Sequence, residues 1–244
     1  MRDHRSYLLS QMPNVELFLN SPLEADDVRE FDADHVVIAT GSRWRRDGLG
    51  YFNRRPLTID APGVFTPDDI DQLDSADGDW LIYDDEHYFT AGAIAEKLLA
   101  NGKRVRYLTP ESSISSWTLM TDEQAFIAEK LLKMGLEADY TQRLKSLRDG
   151  CLVAEHTVSG EQIEHDFDNL LLVTSREPVD DLFHQLDPTT TSRIGDCLIS
   201  STIADAVYSG HRFARGFEED PAQLIPRRER AVVVSAPRFT GVSP

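Results

Sequence analysis

The stretch "GDWLIYDDEHYFTAGAIAEKLLANGKRVRYLTPES", residues 78–112, decides how the chain is read. Trp80 to Tyr83 form a short apolar run, as a buried strand does. Ala91 to Leu99 then repeat apolar residues at helical spacing, Asn101-Gly102 supplies a stop signal, and Val105 to Leu108 return to a strand pattern. Strand, helix and strand in this order predict a βαβ crossover, right-handed by the general rule for parallel connections. In a dinucleotide-binding unit the first turn carries glycines, so that backbone N–H groups can reach a pyrophosphate. Counting back from Gly102, those positions fall near Glu86, Tyr88 and Ala91, where this chain offers "DDEHYFTAG". Asp84, Asp85 and Glu86 would repel two phosphates and the rings would block close approach. NAD(P)H is therefore not an expected ligand of this turn.

Upstream, residues 2–12 predict a helix, Val15 to Leu19 a short strand, and "SPLEADDVREF" a helical turn capped by Ser21. "ADHVVIATGSRW", residues 33–44, carries an apolar run that ends in Ala39-Thr40-Gly41. Small residues at a strand end let backbone approach a ligand closely. A polar, arginine-rich loop follows to about Pro62. "VFTPDDIDQL" predicts a short strand and a helix with Pro67 in its first turn.

Downstream, "TDEQAFIAEKLLKMGLEADY" predicts an amphipathic helix capped by Thr121, with Gln124 completing a capping box, and a strand from Leu136 to Tyr140. Alternation from Arg143 to Phe167, with turns at Asp149-Gly150 and Ser159-Gly160, predicts a three-stranded antiparallel meander. "NLLLVT" is a continuous apolar strand of the kind buried on both faces. "RIGDCLISSTIADAVYSGHRFARGFEE" reads as a strand end, a turn and a long helix. The tail from Pro221, with "PRRER" and "AVVV", is expected to fray. In "IGDC", Gly195-Asp196 at a strand end would set a carboxylate where it accepts hydrogen bonds from sugar or ribityl hydroxyls. The helix N-terminus at Thr202 and Ile203 would face a phosphate or the flavin.

Composition narrows the function classes. With 25 basic and 42 acidic residues, a net charge of −17 argues against a nucleic-acid partner, whose affinity is mostly cationic neutralisation. No apolar run approaches the roughly 18 residues of a membrane span, and the N-terminus lacks the apolar core of a signal peptide, so a cytoplasmic protein is expected. Cys151 and Cys197 cannot form a CxxC metal or cluster site and are expected as buried thiols. His87 reads as a turn histidine, and Trp44 and Trp117 read as packing residues. Arg43, Arg45 and Arg46 read as solvated ion pairs. Ser112, Ser113, Ser115 and Ser116 form a polar loop with no base in a triad-like context. No catalytic residue and no metal ligand is assigned.

"DHVVIATGSRW", "VFTPDDI", "YDDEHYFTAGAIAEKLLANG", "LTPES" and "IGDCLISSTIADAVYSGHRFA" together, and in this order over nearly the whole chain, resemble the two-dinucleotide-binding-domain flavoproteins. The nearer likeness is to the C-terminal portion of trimethylamine, dimethylamine and histamine dehydrogenases, within the old yellow enzyme and 2,4-dienoyl-CoA reductase group. The resemblance implies a doubly wound α/β fold with two Rossmann-like lobes. An incomplete FAD/ADP-binding-like lobe would comprise residues 1–76 and 188–244. An NAD(P)-binding-like lobe, residues 77–187, would be inserted in it and carry the meander. It implies FAD or ADP held by Ala39, Thr40, Gly41, Ser42, Gly195, Asp196, Thr202 and Ile203. Family members begin with an FMN-binding barrel, a four-cysteine 4Fe–4S segment and a GxGxxG turn, and this chain carries none of the three. It thus resembles a C-terminal piece that would associate with a barrel-containing chain or with itself, and would pass electrons to an electron-transferring flavoprotein. The alternative is a non-catalytic scaffold or interaction subunit that has lost nucleotide binding.

Overall fold

The structure, a computed structural model, describes residues 2–59, 61–148 and 150–217. It is a mixed α/β protein with parallel and antiparallel sheets. In chain order the elements begin with α1 (Arg2–Ser10), α2 (Ala25–Glu30), β1 (Val36–Ile38), β2 (Ser42–Trp44) and β3 (Val64–Phe65). They continue with β4 (Trp80–Asp84), α3 (Phe89–Ala100), β5 (Val105–Leu108), α4 (Gln124–Lys133) and β6 (Glu137–Asp139). The rest are β7 (Gln142–Arg148), β8 (Cys151–His156), β9 (Gln162–Asp166), β10 (Asn169–Val173), β11 (Arg176–Pro178), α5 (Asp181–Gln185), β12 (Thr191–Arg193) and α6 (Ile203–Gly216).

A parallel five-stranded sheet in the order β3-β10-β4-β5-β6 forms the centre. All five residues of β4 and of β10 are buried. Alternate side chains go to opposite faces of a strand, and the two faces have different covers. Trp80 and Ile82 of β4 join Leu171 and Val173 of β10 under α3 and α4, with Ile94, Leu98 and Leu131. Leu81, Tyr83, Leu170 and Leu172 face the other way, onto Leu144, Leu152 and Ala154 of the antiparallel sheet β7-β8-β9. The continuous apolar runs in the sequence follow from this double covering.

Two smaller sheets each join an early strand to a late one. β1 pairs in parallel with β12, and β2 pairs antiparallel with β11, with Trp44 opposite Arg176 and Ser42 opposite Pro178. β3 reaches the central sheet from outside the span 77–187.

Several local expectations are corrected. Val15 to Leu19 form no strand, and Leu17, Phe18 and Leu19 are exposed, because no neighbouring strand offers them a ladder among the described residues. α2 is capped at Glu24 rather than Ser21: the Glu24 N–H donates to Asp27 Oδ2 at 2.8 Å. The "PDDIDQL" segment makes two short 3-10 turns, although Pro67 does occupy the first turn. Thr121 does not cap α4. It ends a 3-10 turn, its hydroxyl donates to Thr118 O, and Gln124 instead donates to Ile114 O. Cys197 is buried but Cys151 is only half-buried. Asp149 and the tail from Pro221 lie outside the described residues; Gly150 beside Asp149 has φ +68°. No described helix is long and apolar enough to cross a membrane.

A buried polar contact helps tie the meander to the central sheet. Its register shifts between Leu144 and Ser146, and the Leu144 N–H donates to the Tyr83 hydroxyl at 3.1 Å. Tyr83 and Leu144 are both almost fully buried. Tyr83→Phe would strand that N–H away from water and is expected to cost about 1–3 kcal/mol, read as a lower urea midpoint at unchanged slope.

Candidate functional site

Two places concentrate polar chemistry. The first lies where β1 and β12 end side by side. Val36, Val37 and Ile38 pair with Thr191, Ser192 and Arg193, and the Ile194 N–H donates to Ile38 O at 3.0 Å. The chain then turns at Gly41, φ +80°, and at Gly195, φ +61°, a backbone region that favours glycine. Open space surrounds the position a Gly41 Cβ would take. Thr40 donates its hydroxyl to Val179 O, and the Val179 N–H donates to Gly41 O at 3.0 Å.

Ser42 and Asp196 meet here, although 154 residues separate them: the Ser42 hydroxyl donates to Asp196 Oδ2 at 3.2 Å. Arg176 Nη1 donates to the same oxygen at 2.8 Å, and the Ser201 N–H donates to Asp196 Oδ1 at 3.3 Å. Ala39 and Thr40 are exposed, while Gly41, Ser42, Gly195 and Asp196 are half-buried. Thr202 is the N-cap of α6, accepting from the Asp205 N–H at 3.3 Å, and the Thr202 hydroxyl donates to Asp205 Oδ2. The Thr202 side chain is thus engaged in capping, and Asp205 brings a negative charge to that helix end. Its carboxyl lies below the usual range because the Ser201 and Thr202 hydroxyls donate to it. Ile203 is 79% exposed.

The second place is the turn between β4 and α3. Asp84 and Asp85 are buried, so they are not outward charges that repel a ligand. Asp84 Oδ1 accepts from the Glu86 N–H at 3.1 Å and the His87 N–H at 2.8 Å, and Asp84 Oδ2 accepts from the Tyr107 hydroxyl. Val173 O accepts from the Asp85 and Glu86 N–H groups. Asp85 in turn accepts from the Phe52 and Asn53 N–H groups, which pulls the 50–53 loop over the turn. Gly50 must be glycine for this, since a Cβ there would meet Asp85 Oδ2 at 2.2 Å. The amides that would cradle a pyrophosphate are therefore already bonded.

His87 sits inside this closed turn at φ +67°, fully buried, against the rings of Tyr51, Phe52 and Trp117 at 6.3, 5.8 and 5.6 Å. Neither ring nitrogen has hydrogen-bond geometry to a partner, although Nε2 lies 3.3 Å from Asp85 Oδ1. It is thus an electrostatically held histidine rather than a hydrogen-bonded one.

Of the other residues singled out, Trp117 is 46% exposed beside Tyr51 and His87. Trp44 lies under the Arg176 guanidinium, 5.2 Å from ring centroid to Cζ. Arg43 pairs with Glu177 and Asp181, Arg45 with Asp47 and Glu177, and Arg46 with Asp69. Arg176 escaped sequence reasoning. The available signal was a charged residue directly after "NLLLVTS", at the end of a buried parallel strand, where ligands of open α/β sheets gather.

Burial alone would drive His87 to lose its proton, but Asp85, Asp84 and Glu111 outweigh it and hold its pKa above the ordinary value. Burial likewise raises the Asp84 carboxyl. A raised native histidine pKa stabilises the fold fully below the unfolded value, about 6.5, and that contribution is lost as pH rises through the native value. The stability gap between the wild-type chain and His87→Gln is therefore expected to be widest below about pH 6.5 and to narrow above it. Urea titrations at stepped pH read this, and a pH-independent gap would sink it.

No family model matches the chain. Individual relatives do. Dimethylamine dehydrogenase of Hyphomicrobium sp. (strain x) is 29% identical over 275 residues, covering 93% of this chain and 37% of that protein. The structure of histamine dehydrogenase from Rhizobium sp. 4-9 superposes with a TM-score of 0.86 at 32% identity, over 100% of this chain and 38% of its own. That of 6-hydroxypseudooxynicotine amine oxidase from Pseudomonas geniculata N1 gives 0.80 at 36% identity, over 86% of this chain and 33% of its own. The chain thus spans about a third of the length of each relative. It belongs to the family of dimethylamine and histamine dehydrogenases, and corresponds to their C-terminal portion.

Proposed function

We propose that the chain is the nucleotide-holding portion of an FMN-dependent amine or N-methyl-amine oxidoreductase. It would bind FAD or ADP in a Rossmann-like lobe through Ala39, Thr40, Gly41, Ser42, Gly195 and Asp196, with the start of α6 at Thr202 and Ile203 beside them. The observation that carries this reading is the convergence of Gly41, Ser42 and Asp196 at the adjoining ends of β1 and β12. The donor set fits a nucleotide in part. A half-buried carboxylate accepts from sugar hydroxyls, and the open space at Gly41 admits a close ligand. Against a phosphate at the start of α6 stands the Asp205 carboxylate.

The bound flavin or nucleotide would supply redox capacity or a structural anchor; amine chemistry would occur on FMN held by another part of the complete enzyme. Electrons would pass to a flavoprotein acceptor rather than to NAD(P). The turn from Asp84 to His87 supports that exclusion, because its amides are bonded to Asp84 and Val173 and the 50–53 loop lies over it. The consecutive exposed Leu17, Phe18 and Leu19 support association with a barrel-bearing chain, since adjoining large apolar groups on a surface mark an interaction site. A second reading, a scaffold without nucleotide, draws on the fact that Asp196 already has three protein partners.

Nucleotide released by denaturing the purified chain, identified by absorbance and chromatography, separates these readings. Stoichiometric FAD or ADP is expected, falling strongly in Asp196→Asn and in Gly41→Val. A folded chain that carries neither and takes up neither favours the scaffold. Tight NADPH binding would contradict the assignment of the closed turn.

A further inference from the structure

We infer that Arg176 is the positioning residue of the nucleotide site, setting the Asp196 carboxylate for a sugar diol and neutralising the acids that an anionic nucleotide must approach. This rests on the reading of Asp196 given above. Pairing of β11 with β2 puts Arg176 opposite Trp44, and the guanidinium lies over the indole. From there its planar fork reaches two acceptors at once, Asp196 Oδ2 at 2.8 Å and Ser201 O at 2.6 Å. A guanidinium held by stacking and by two hydrogen bonds has little freedom left to lose, and it fixes the carboxylate it touches. The Asp196 side chain is 20% exposed and that of Arg176 24%.

The carboxylate keeps capacity for a ligand. Arg176 and Ser42 both donate to Oδ2, whereas Oδ1 accepts only the longer Ser201 N–H contact among the described residues. With about four acceptor positions per carboxylate, a hydroxyl can be added at Oδ1 without displacing the arginine. The charge of the same guanidinium also acts on Glu86, in the β4–α3 turn. Burial pushes the Glu86 carboxyl up, Asp84 pushes it further, and Arg176 draws it back. Glu86 Oε2 is buried without a hydrogen bond. The neighbouring arginines are committed elsewhere, Arg193 to Asp180, Arg43 to Glu177 and Asp181, and Arg45 to Asp47 and Glu177. Among the described residues, Arg176 is the cation in contact with Asp196.

The test uses calorimetric titration of the full chain with FAD and, separately, with ADP. Arg176→Met is expected to weaken the nucleotide that the wild type binds by about 10- to 100-fold, and Arg176→Lys to recover part of that loss. In an Asp196→Asn background the Arg176→Met loss should shrink to a few-fold, because the arginine acts through the aspartate. A general effect on folding would not show the lysine rescue or the lost additivity, and circular dichroism of each variant tracks folding. Should Arg176→Met lose its native spectrum, Arg176→Lys alone decides: affinity equal to wild type overturns the proposal. Unchanged or tighter binding by Arg176→Met, or fully additive losses, overturns it too. A wild-type chain that binds neither FAD nor ADP removes the underlying reading and this inference with it. Wild-type binding with indifferent Arg176 variants removes the inference alone.

Discussion

The burial of two adjacent carboxylates at the end of β4 constrains most of what surrounds them. A buried charge away from water is tolerated only when it is paired and hydrogen-bonded. Asp84 meets this demand with the amides of Glu86 and His87 and the Tyr107 hydroxyl, and Asp85 meets it with the amides of Phe52 and Asn53. The turn is thereby drawn tight around its own acid, His87 is forced to a positive φ, and the 50–53 loop is fastened over the top. In an ordinary dinucleotide unit an anion from outside would satisfy the same amides. Here the anion is built in.

Much of the fold was legible because burial on both faces leaves continuous apolar runs. "WLIYD" and "NLLLV" could hardly be anything but central parallel strands, and the alternation after Arg143 marked the meander with its Gly150 and Gly160 turns. Local propensity misled where tertiary partners decide. "VELFL" has strand composition but no strand beside it, and Thr121 has a capping residue's chemistry but is drawn into the preceding 3-10 turn by Thr118.

The candidate site was legible by halves. The small residues ending at Gly41 mark a place where backbone can approach a ligand, and a Gly-Asp at a strand end marks a carboxylate at the sheet's ligand edge; the positive φ of Gly41 and Gly195 came from the structure. The repulsion expected from Asp84 and Asp85 does not hold, because both are buried. Charge counted along a chain suggests repulsion, whereas depth turns the same acids into acceptors for their own turn. Arg176 could not be found from spacing, because its place opposite Trp44 arises only when β11 pairs with β2 over more than 130 residues of intervening chain.

That ribbon also fixes how the two polar centres stand to each other. Its β2 strand carries Ser42 and Trp44, and its β11 strand carries Arg176 and Glu177. The Arg45 N–H donates to Ser175 O at 3.0 Å, and the Ser175 hydroxyl donates to Leu49 O at 2.5 Å, so the ribbon runs straight into the loop that closes the β4–α3 turn. On one side the guanidinium of Arg176 grips Asp196; on the other its charge eases the ionisation of buried Glu86.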